Sequence, residues 1–530
     1  MVPHHNTAQA QPTDGGRSAL LVGTGILLSR LAGLIRDRVF AHYFGNSDAA
    51  DAFRAAFRIP NFLQNLFGEG VLSASFIPVY AGLLARKDRD AHAVAAAIAA
   101  ILAVTVSFFV LAGVWAAPYL IAVIAPGFGG AKRELCVHLV RIFFPGAALL
   151  VLSAWCLGVL NSHRRFLLSY AAPVVWNAAI IAALLVFGAQ QGQFRLAVLA
   201  AWGSVLGSLV QLGVQVPVVL RLMGSVRLTV RARWAEIQTV LRNFVPVFIS
   251  RGVVQISAYI DALIASLLPT GAVAALSYAQ TLYTLPVSLF GMAVSAAELP
   301  AMSGVLGSEA EVASTLRARL DAGLRRIAFF IVPSAVAFIA LGDVVVGIIY
   351  QSGRFSRADT LYVWGILAGS AVGLLASTMG RLYASTFYAV SDTRTPLRFA
   401  IVRVAVTTGL GLYAALSLPR IVGVDPRWGV VGLTASAGVA GWLEFLLLRQ
   451  RLNARVGPTG LAASVSVRLW TSALLAAVVG WMAKMAVGEG YPLWSGIMIL
   501  IPYGATYLLM AHLLGLQEAR DVLAMIQRRR

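Results

Sequence analysis

The chain has 530 residues, of which 59% are hydrophobic and only 12% are charged, and its formal net charge is +20. A soluble domain carries charges at about a quarter of its positions, so this composition excludes an ordinary cytosolic enzyme, a disordered chain and a secreted disulfide scaffold. The two cysteines, Cys136 and Cys156, lie in or beside apolar runs and imply no disulfide framework.

Fourteen apolar segments follow one another along the chain, each close to the roughly 20 residues that cross a bilayer. They lie near 18–44, 57–84, 91–120, 135–160, 167–188, 196–220, 243–267, 272–303, 324–342, 360–388, 398–418, 428–448, 465–486 and 492–514. We therefore predict an all-α polytopic membrane protein with about 14 transmembrane helices. Residues 1–17 are polar and are predicted to form a disordered cytoplasmic tail.

Basic residues are distributed unequally between the two alternating sets of loops. With fourteen spans, 24 Arg and Lys residues fall on the side that carries both termini and 9 on the other side. Cytoplasmic loops retain positive charge, so both termini are predicted to be cytoplasmic, and 515–530 is a basic cytoplasmic tail. The connector 222–242 is basic and carries Trp234 and Ile237, which is typical of an amphipathic linker at the membrane surface.

The two halves of the chain resemble each other weakly. The pair Ser29-Arg30 recurs as Ser250-Arg251 at an offset of 221, and Leu66-Phe67-Gly68 recurs as Leu289-Phe290-Gly291 at an offset of 223. A repeat of six spans, an even number, gives both copies the same orientation in the membrane. We predict an N-lobe at 18–221 and a C-lobe at 243–450 in a parallel pseudo-twofold repeat. Two extra C-terminal helices, at 465–514, fall outside the repeat.

Charges within the predicted spans are concentrated in the first, second, seventh and eighth. A charge at mid-membrane costs about 2.5–3.5 kcal/mol on an insertion scale, so it usually faces a partner or a wet cavity. Arg30 and Arg251 occupy equivalent mid-span positions, which indicates a cavity-lining role. Asp37 shares a helical face with Arg30, and a polar stripe runs along the second span at four-residue steps, through Asn61, Asn65 and Glu69.

Structural interpretations of the same residues stay open. A stripe of small and polar residues in the eighth span is also typical of a helix-packing seam. Asp51, Arg54 and Arg58 share a face near a membrane edge and can form an ion-pair ladder that serves stability alone. Arg36 flanks Asp37 and is able to extend to an interface.

Cationic faces in both lobes indicate an anionic cargo, because the planar arginine fork binds phosphate oxygens bidentately and is not deprotonated. The predicted ligands of a pyrophosphate or head group are Arg30, Arg36, Arg251, Asn61, Gln64 and Asn65. The predicted charge partners, or groups that couple transport to an ion, are Asp37, Asp51, Arg58, Glu69, Asp261 and Glu298. No phosphate-binding loop or metal-ligand cluster is found, so no cofactor is expected. The energy source is predicted to be the membrane potential or an ion gradient, with a coupling monovalent cation left open.

Several motifs resemble the MurJ (MviN) proteins over residues 18–515. They are Ser29 to Asp37 (SRLAGLIRD), Phe44-Gly45, Asp51-Ala52-Phe53, Pro60-Asn61, Gly68-Glu69-Gly70, Phe76-Ile77-Pro78 and Asp392-Thr393-Arg394-Thr395-Pro396. The resemblance implies a lipid II flippase of the multidrug/oligosaccharidyl-lipid/polysaccharide exporter superfamily, a transporter and not an enzyme. Such a protein moves the undecaprenyl-pyrophosphate-linked muropeptide from the inner to the outer leaflet of the bacterial cytoplasmic (inner) membrane by alternating access.

The resemblance also implies partners and site residues. Lipid II and membrane lipids are the expected partners, without nucleic acid, and helices thirteen and fourteen would hold the lipid tail. A monomer is expected, and association with the cell-wall synthesis machinery is left open. The family positions associated with function are matched by Arg30, Arg36, Asp37, Asp51 and Glu69.

The chain departs from the family where charges are usual. Gln64-Asn65 replaces an arginine pair, and Thr281 and Thr284 replace an arginine and a glutamate. We hypothesise that Arg251, Asp261 and Glu298 take over from these missing charges. The alternatives are a MATE-like drug or cation exporter, a flippase for another polyprenyl-linked oligosaccharide, and a membrane enzyme acting on the same lipid. The last would need carboxylates in a sizeable outer loop, which the sequence lacks.

Overall fold

The structure is a computed structural model that describes residues 13–67, 69–88, 90–224, 234–305, 308–488, 490 and 492–527. Side chains are described for these residues except 13–23, 60, 69–70, 245–247, 249–258 and 525–527. The side chains of Glu69 and Arg251, most of the predicted N-terminal tail and 225–233 of the predicted linker therefore lie outside the described residues. In the described part of the chain the regular structure is helical, with one isolated β-bridge between Ser352 and Phe355. The predicted all-α class is confirmed.

The described residues form α-helices that account for nearly all of their length. In chain order these helices are α1 Thr13–Phe44, α2 Asp48–Phe67, α3 Glu69–Ser75, α4 Ile77–Ala85, α5 Ala91–Ile124, α6 Gly130–Ser162, α7 Phe166–Phe187, α8 Gln193–Met223, α9 Trp234–Ser266, α10 Ala272–Pro286, α11 Ala293–Ser303, α12 Glu309–Ala340, α13 Gly342–Tyr350, α14 Arg357–Ala371, α15 Leu374–Ala389, α16 Arg394–Leu412, α17 Leu418–Val422, α18 Gly429–Val456, α19 Ala463–Val487, α20 Pro492–Leu513 and α21 Gln517–Gln527.

Eleven helical stretches of the described chain are long and apolar enough to cross a membrane, and a twelfth is the pair α14 and α15, which meet at a bend of 43°. These twelve coincide with the predicted spans two to six and eight to fourteen. Helices α1 and α9 lie where the first and seventh spans are predicted, but neither is among the twelve. The protein is thus a multi-pass membrane protein, while the count of fourteen remains a prediction.

The chain divides into two compact units. Unit 1 contains residues 1–43, 52–124 and 128–258, and unit 2 contains 44–51, 125–127 and 259–530. The short segment 44–51 belongs to unit 2 although the flanking residues belong to unit 1. Unit 2 also contains the two extra C-terminal helices, α19 and α20.

The second and eighth predicted spans are both interrupted. Helices α2, α3 and α4 form one candidate span, Asp48–Ala85, and the last of them begins beside Pro78. In the eighth span a π-helical turn, Val287–Met292, directly follows Pro286. Proline lacks a backbone donor, so a helix yields most easily at such positions. These interruptions are the positions at which we expect the spans to bend.

Close helix contact in unit 1 positions an aromatic side chain that matters below. Helix α8 approaches α7 at Gly207, where an added Cβ would lie 2.8 Å from the carbonyl oxygen of Trp176. Only glycine permits that approach without displacing backbone. The indole nitrogen of Trp176 then donates to the carbonyl oxygen of Ser204, at 3.1 Å, and the side chain is fixed against α8.

Candidate functional site

A buried ionic cluster lies in unit 1, which we call the Arg36 cluster; it consists of Arg36, Asp37, Arg54 and Asn177. One carboxylate oxygen of Asp37, Oδ1, accepts from Arg36 Nε at 3.2 Å, Arg36 Nη2 at 3.0 Å and Arg54 Nη2 at 3.1 Å. Arg36 Nη1 donates to Asn177 Oδ1 at 3.1 Å. Two guanidinium groups and one carboxylate leave this cluster with a net charge of about +1.

Aromatic rings hold both guanidinium groups of the Arg36 cluster. The guanidinium carbon of Arg36 lies 5.3 Å from the Trp176 ring centroid and 6.0 Å from that of Phe57. That of Arg54 lies 4.6 Å from the ring of Phe40. Cation–π contact adds about 0.5–2 kcal/mol in such desolvated positions. The arrangement therefore orients Arg36 and Arg54 rigidly.

The Arg36 cluster changes how two predicted residues are understood. The sequence predicts Arg36 as a head-group ligand that is also able to extend to an interface, whereas the structure pairs its side chain directly with Asp37. The carboxylate of Asp37 accepts from both arginines, while the predicted role of Asp37 in transport stays a prediction. The sequence analysis did not single out Asn177. Its amide lies in the middle of the apolar fifth span, where a polar side chain usually indicates a hydrogen-bond partner.

The other predicted ligands in unit 1 are more accessible. Arg30 is exposed in α1, Asn61 and Gln64 are half-buried in α2, and Asn65 is exposed there. Arg58 is half-buried in the same helix. These side chains share α1 and α2 with Arg36, Asp37 and Arg54, and their predicted role as head-group ligands stays a prediction.

Asp51 caps a helix in unit 2. Its Oδ2 accepts from the backbone N–H of Gly271 at 2.7 Å and its Oδ1 from that of Ala274 at 2.8 Å. Gly271 has φ +90°, and a Cβ there would lie 2.6 Å from the carbonyl oxygen of Asn46, so glycine is required. Asp51 thereby binds the N-terminus of α10 to the segment 44–51, a role that spacing did not predict.

Glu298 faces two arginines of the following helix. Its Oε2 lies 3.5 Å from Nη1 of Arg319 and its Oε1 lies 3.7 Å from Nη1 of Arg326. Glu298 is thus a charge partner, with partners from α12. Asp261, in the same unit, is half-buried.

An ion pair between two candidate spans was missed from the sequence. Arg403 Nη1 of α16 donates to Glu444 Oε2 of α18 at 3.0 Å. One acidic and one basic residue in two apolar segments could have predicted the pair, because charges within the membrane are normally paired. This pair gives unit 2 an intramembrane polar feature of its own.

The Asp392 motif after the tenth span is a structural cap. Asp392 accepts from the backbone N–H of Thr395 at 3.0 Å and pairs with Arg455 Nη2 at 2.7 Å. The backbone hydrogen bond lowers the pKa of Asp392 against the opposing effect of desolvation, and Arg455 lowers it further. The carboxylate therefore stays charged and ties the start of α16 to the end of α18.

Two histidines of unit 1 share one tyrosine. Tyr80 Oη lies 3.1 Å from His92 Nδ1 and 3.1 Å from His163 Nε2. The hydroxyl has one hydrogen, so it donates to one ring while the other ring donates to it. Burial lowers the pKa of His163, and the neighbouring His92 lowers it further. The charged residues of the adjoining loops are Arg86, Lys87, Asp88, Arg89, Asp90, Arg164 and Arg165, of which Arg89 lies outside the described residues.

We expect this histidine pair to make stability depend on pH. The folded pKa of His163 lies below its unfolded value of about 6.5, so the unfolded chain binds the proton more tightly. The contribution is therefore intact above pH 6.5 and is lost as the pH falls through the folded pKa. Thermal unfolding of detergent-solubilised protein between pH 7.5 and about 5 checks this, with His163→Gln expected to flatten the profile. The control is His138→Gln, an exposed histidine of the same unit; equal profiles for all three proteins would contradict the expectation.

Comparison with known proteins connects these features to a family. A family model described as lipid II flippase MurJ matches residues 40–501. The lipid II flippase MurJ of Burkholderia cenocepacia is 34% identical over 448 residues, covering 83% of this chain and 84% of that protein. A probable lipid II flippase MurJ of Rhizobium tropici is 31% identical over 516 residues, covering 94% and 93%.

Solved structures show the same fold. A lipid II flippase MurJ in an inward closed conformation has a TM-score of 0.77 and 22% identity, covering 95% of this chain and 100% of that one. An inward-facing MATE-family multidrug resistance transporter of the MOP superfamily has a TM-score of 0.63 and 17% identity, covering 82% and 98%.

Proposed function

The chain belongs to the MurJ family of lipid II flippases, and from this premise we infer that it moves lipid II from the inner to the outer leaflet. The single observation that carries the inference is the family match over residues 40–501, which includes α2 to α19 and the first part of α20. A MATE-like exporter shares the fold, but the curated relatives are named as flippases.

We propose that Arg30 binds the pyrophosphate and that the Arg36 cluster acts on it through its charge. Arg30 is exposed, whereas Arg36 is bound to Asp37 and Asn177. Six residues separate the two arginines, a rise of about 9 Å along α1. At an effective dielectric constant of about 20, one net positive charge at that distance attracts each unit of phosphate charge by roughly 2 kcal/mol. The half-buried amides of Asn61 and Gln64 add neutral donors on α2.

The remaining predicted roles stay proposals. We propose that Arg251, Asp261 and Glu298 supply the charges that the family carries at the positions of Gln64, Thr281 and Thr284. Glu298 supports this because it pairs with two arginines. Glu69 is proposed as a further acidic group of the second span.

The transport cycle that we propose is alternating access. Interruptions beside Pro78 and within 287–292 give the second and eighth spans places to bend. We propose the bacterial cytoplasmic membrane as the location, with both termini cytoplasmic, and the membrane potential or an ion gradient as the energy source. The apolar helices α19 and α20 are proposed to hold the lipid tail, with the protein acting as a monomer that is able to associate with cell-wall synthesis proteins.

The test replaces Arg30 in the full chain, reconstituted into vesicles that contain lipid II. We expect Arg30→Ala to slow flipping by about 10- to 100-fold, because a hydrogen bond to a charged group contributes about 1.5–3 kcal/mol. Arg30→Lys, which keeps the charge but loses the bidentate fork, should be intermediate. Flipping is measured as the fraction of lipid II that an impermeant cleaving reagent reaches.

Arg141→Ala is the matched control, since Arg141 is also an exposed arginine within a candidate span of unit 1. It should flip lipid II at the rate of the unsubstituted protein. If Arg30→Ala flips at that rate too while its thermal stability is unchanged, Arg30 does not bind the cargo.

A further inference from the structure

A cavity of about 640 Å³ lies within unit 2, at one end of the two extra C-terminal helices. Its walls come from α13, the first residue of α14, the end of α19 and the start of α20. These helix ends are the parts of α19 and α20 that the sequence places on the non-cytoplasmic side. The cavity is therefore remote along the chain from the Arg36 cluster of unit 1.

One end of this cavity carries a buried carboxylate between two cations. Lys484 Nζ donates to Asp343 Oδ1 at 2.9 Å and Oδ2 at 2.7 Å, and Arg357 Nη2 donates to Oδ2 at 2.8 Å. Burial alone would raise the pKa of Asp343, but the hydrogen bonds and charges of Lys484 and Arg357 outweigh it and lower the pKa. The carboxylate of Asp343 is therefore ionised, and the formal charges of the described lining residues sum to about +1. Glu489, in the adjoining loop, lies outside the described residues and outside this sum.

The two cations remain accessible. The side chain of Asp343 is 1% exposed, whereas those of Lys484 and Arg357 are 29% and 48% exposed. A guanidinium has five N–H donors and an ammonium has three, so one shared carboxylate does not saturate them. Both cations can thus accept a second anion without breaking their contact with Asp343.

The other walls of the cavity are apolar. Val344, Trp481, Met485, Pro492 and Ile499 line it. Trp481 and Met485 are themselves exposed, and the outer faces of α19 and α20 continue the apolar surface along both helices. Tryptophan at a helix end is typical of the level of the lipid head groups. A ligand that fits both the two cations and the apolar walls combines an anionic head with a hydrocarbon chain.

We propose that this cavity binds the phosphate group of an anionic membrane phospholipid, with Lys484 and Arg357 on the phosphate and the acyl chain along α19 and α20. Basic pockets between transmembrane helices bind lipid head groups in this way. Free phosphate has the same charged group without the chain, so the apolar wall is what selects the lipid. No residue of the Arg36 cluster takes part in this site, but the acyl chain of the phospholipid lies on the helices that are proposed to hold the lipid II tail, so we expect the two lipids to compete for that surface.

The test measures lipid binding by native mass spectrometry of the full-length protein in detergent. Three probes are titrated: phosphatidylglycerol, phosphatidylcholine with the same chains, and inorganic phosphate. We expect phosphatidylglycerol to bind most tightly and Lys484→Gln to weaken it by about 10-fold, the loss typical of one hydrogen bond to a charged group. Lys484→Arg, which keeps the charge, should retain most of the affinity.

Controls separate a lost site from a lost fold. Lys132→Gln removes a lysine of unit 1 that lies on the aromatic ring of Phe128 and should leave binding unchanged. If Lys484→Gln does not fold, Arg357→Gln removes the more exposed cation and should show the same weakening. Phosphatidylglycerol binding that is equal in the folded variants and the unsubstituted protein would overturn the proposal. Inorganic phosphate that binds as tightly as the phospholipid would overturn the role of the lipid chain.

Discussion

Asp37→Ala is expected to destabilise the protein by about 3–5 kcal/mol, because it leaves two arginines without their shared carboxylate in a buried site. Asp37 Oδ1 is within 3.2 Å of nitrogen atoms from both Arg36 and Arg54. The measurement is the free energy of unfolding in mixed detergent micelles. Asp37→Asn keeps the shape of the side chain but not its charge, so we expect it to lower the free energy of unfolding by somewhat less.

A compensating variant separates charge from packing. Replacing Arg54 with Leu together with Asp37→Ala removes one of the two cations that lose the Asp37 carboxylate, so the double variant should recover part of the lost stability. A single Asp37→Ala variant that unfolds like the unsubstituted protein would show that the Arg36 cluster does not hold α1 and α2 together.

Asp51→Ala is expected to cost about 1.5–3 kcal/mol, since two buried backbone N–H groups lose a charged acceptor. The groups belong to Gly271 and Ala274 at the start of α10. Asp51→Asn, which keeps one acceptor oxygen, should cost less. The same unfolding measurement applies, and lipid II flipping should fall in parallel with stability.

Asp48→Ala is the matched control for Asp51. Asp48 lies one turn earlier in the same segment and accepts from the hydroxyl of Thr270 at 2.8 Å, an exposed contact. We therefore expect its replacement to change the free energy of unfolding by only about 0.5 kcal/mol, as the loss of an exposed polar contact usually does. If Asp51→Ala abolished flipping with stability intact, Asp51 would act on the cargo or the coupling ion and not as a helix cap.

The two variants distinguish structural from ligand-binding charges among the residues that match the family. Asp37 and Asp51 are both almost fully buried and both accept several hydrogen bonds. Arg30 is exposed, so its loss should affect flipping without lowering stability. A match to a family position therefore does not assign a role by itself, and the contacts of the residue must also be known.

The apolar spans were predictable because each is a continuous run that no soluble helix would carry. Twelve of the predicted spans coincide with helices that meet the criteria of length and apolarity. Helices α1 and α9 are not among them, and the side chains of 13–23 in α1 and of 245–247 and 249–258 in α9 lie outside the described residues. Charges in the predicted first and seventh spans, including Arg30, Arg36 and Asp37, are the reason for assigning these helices a functional role.

The partners of the charged residues were not predictable from spacing. Arg36 and Asp37 are adjacent in sequence, and helical geometry alone turns adjacent side chains about 100° apart. The long side chain of Arg36 nevertheless reaches the carboxylate of Asp37, which also accepts from Arg54. Asp51 reaches backbone groups 220 residues later, and Arg36 reaches Asn177 141 residues later. Such pairs depend on how helices pack, which periodicity does not encode.

The assignment as a lipid II flippase is tested most directly in cells depleted of this protein. The measurement is the fraction of lipid II in the outer leaflet, read with an impermeant reagent that cleaves it. We expect this fraction to fall on depletion, to be restored by the unsubstituted chain and by Arg141→Ala, and to stay low with Arg30→Ala. An outer-leaflet fraction that is unchanged on depletion, with no second flippase active in the same cells, would contradict the assignment.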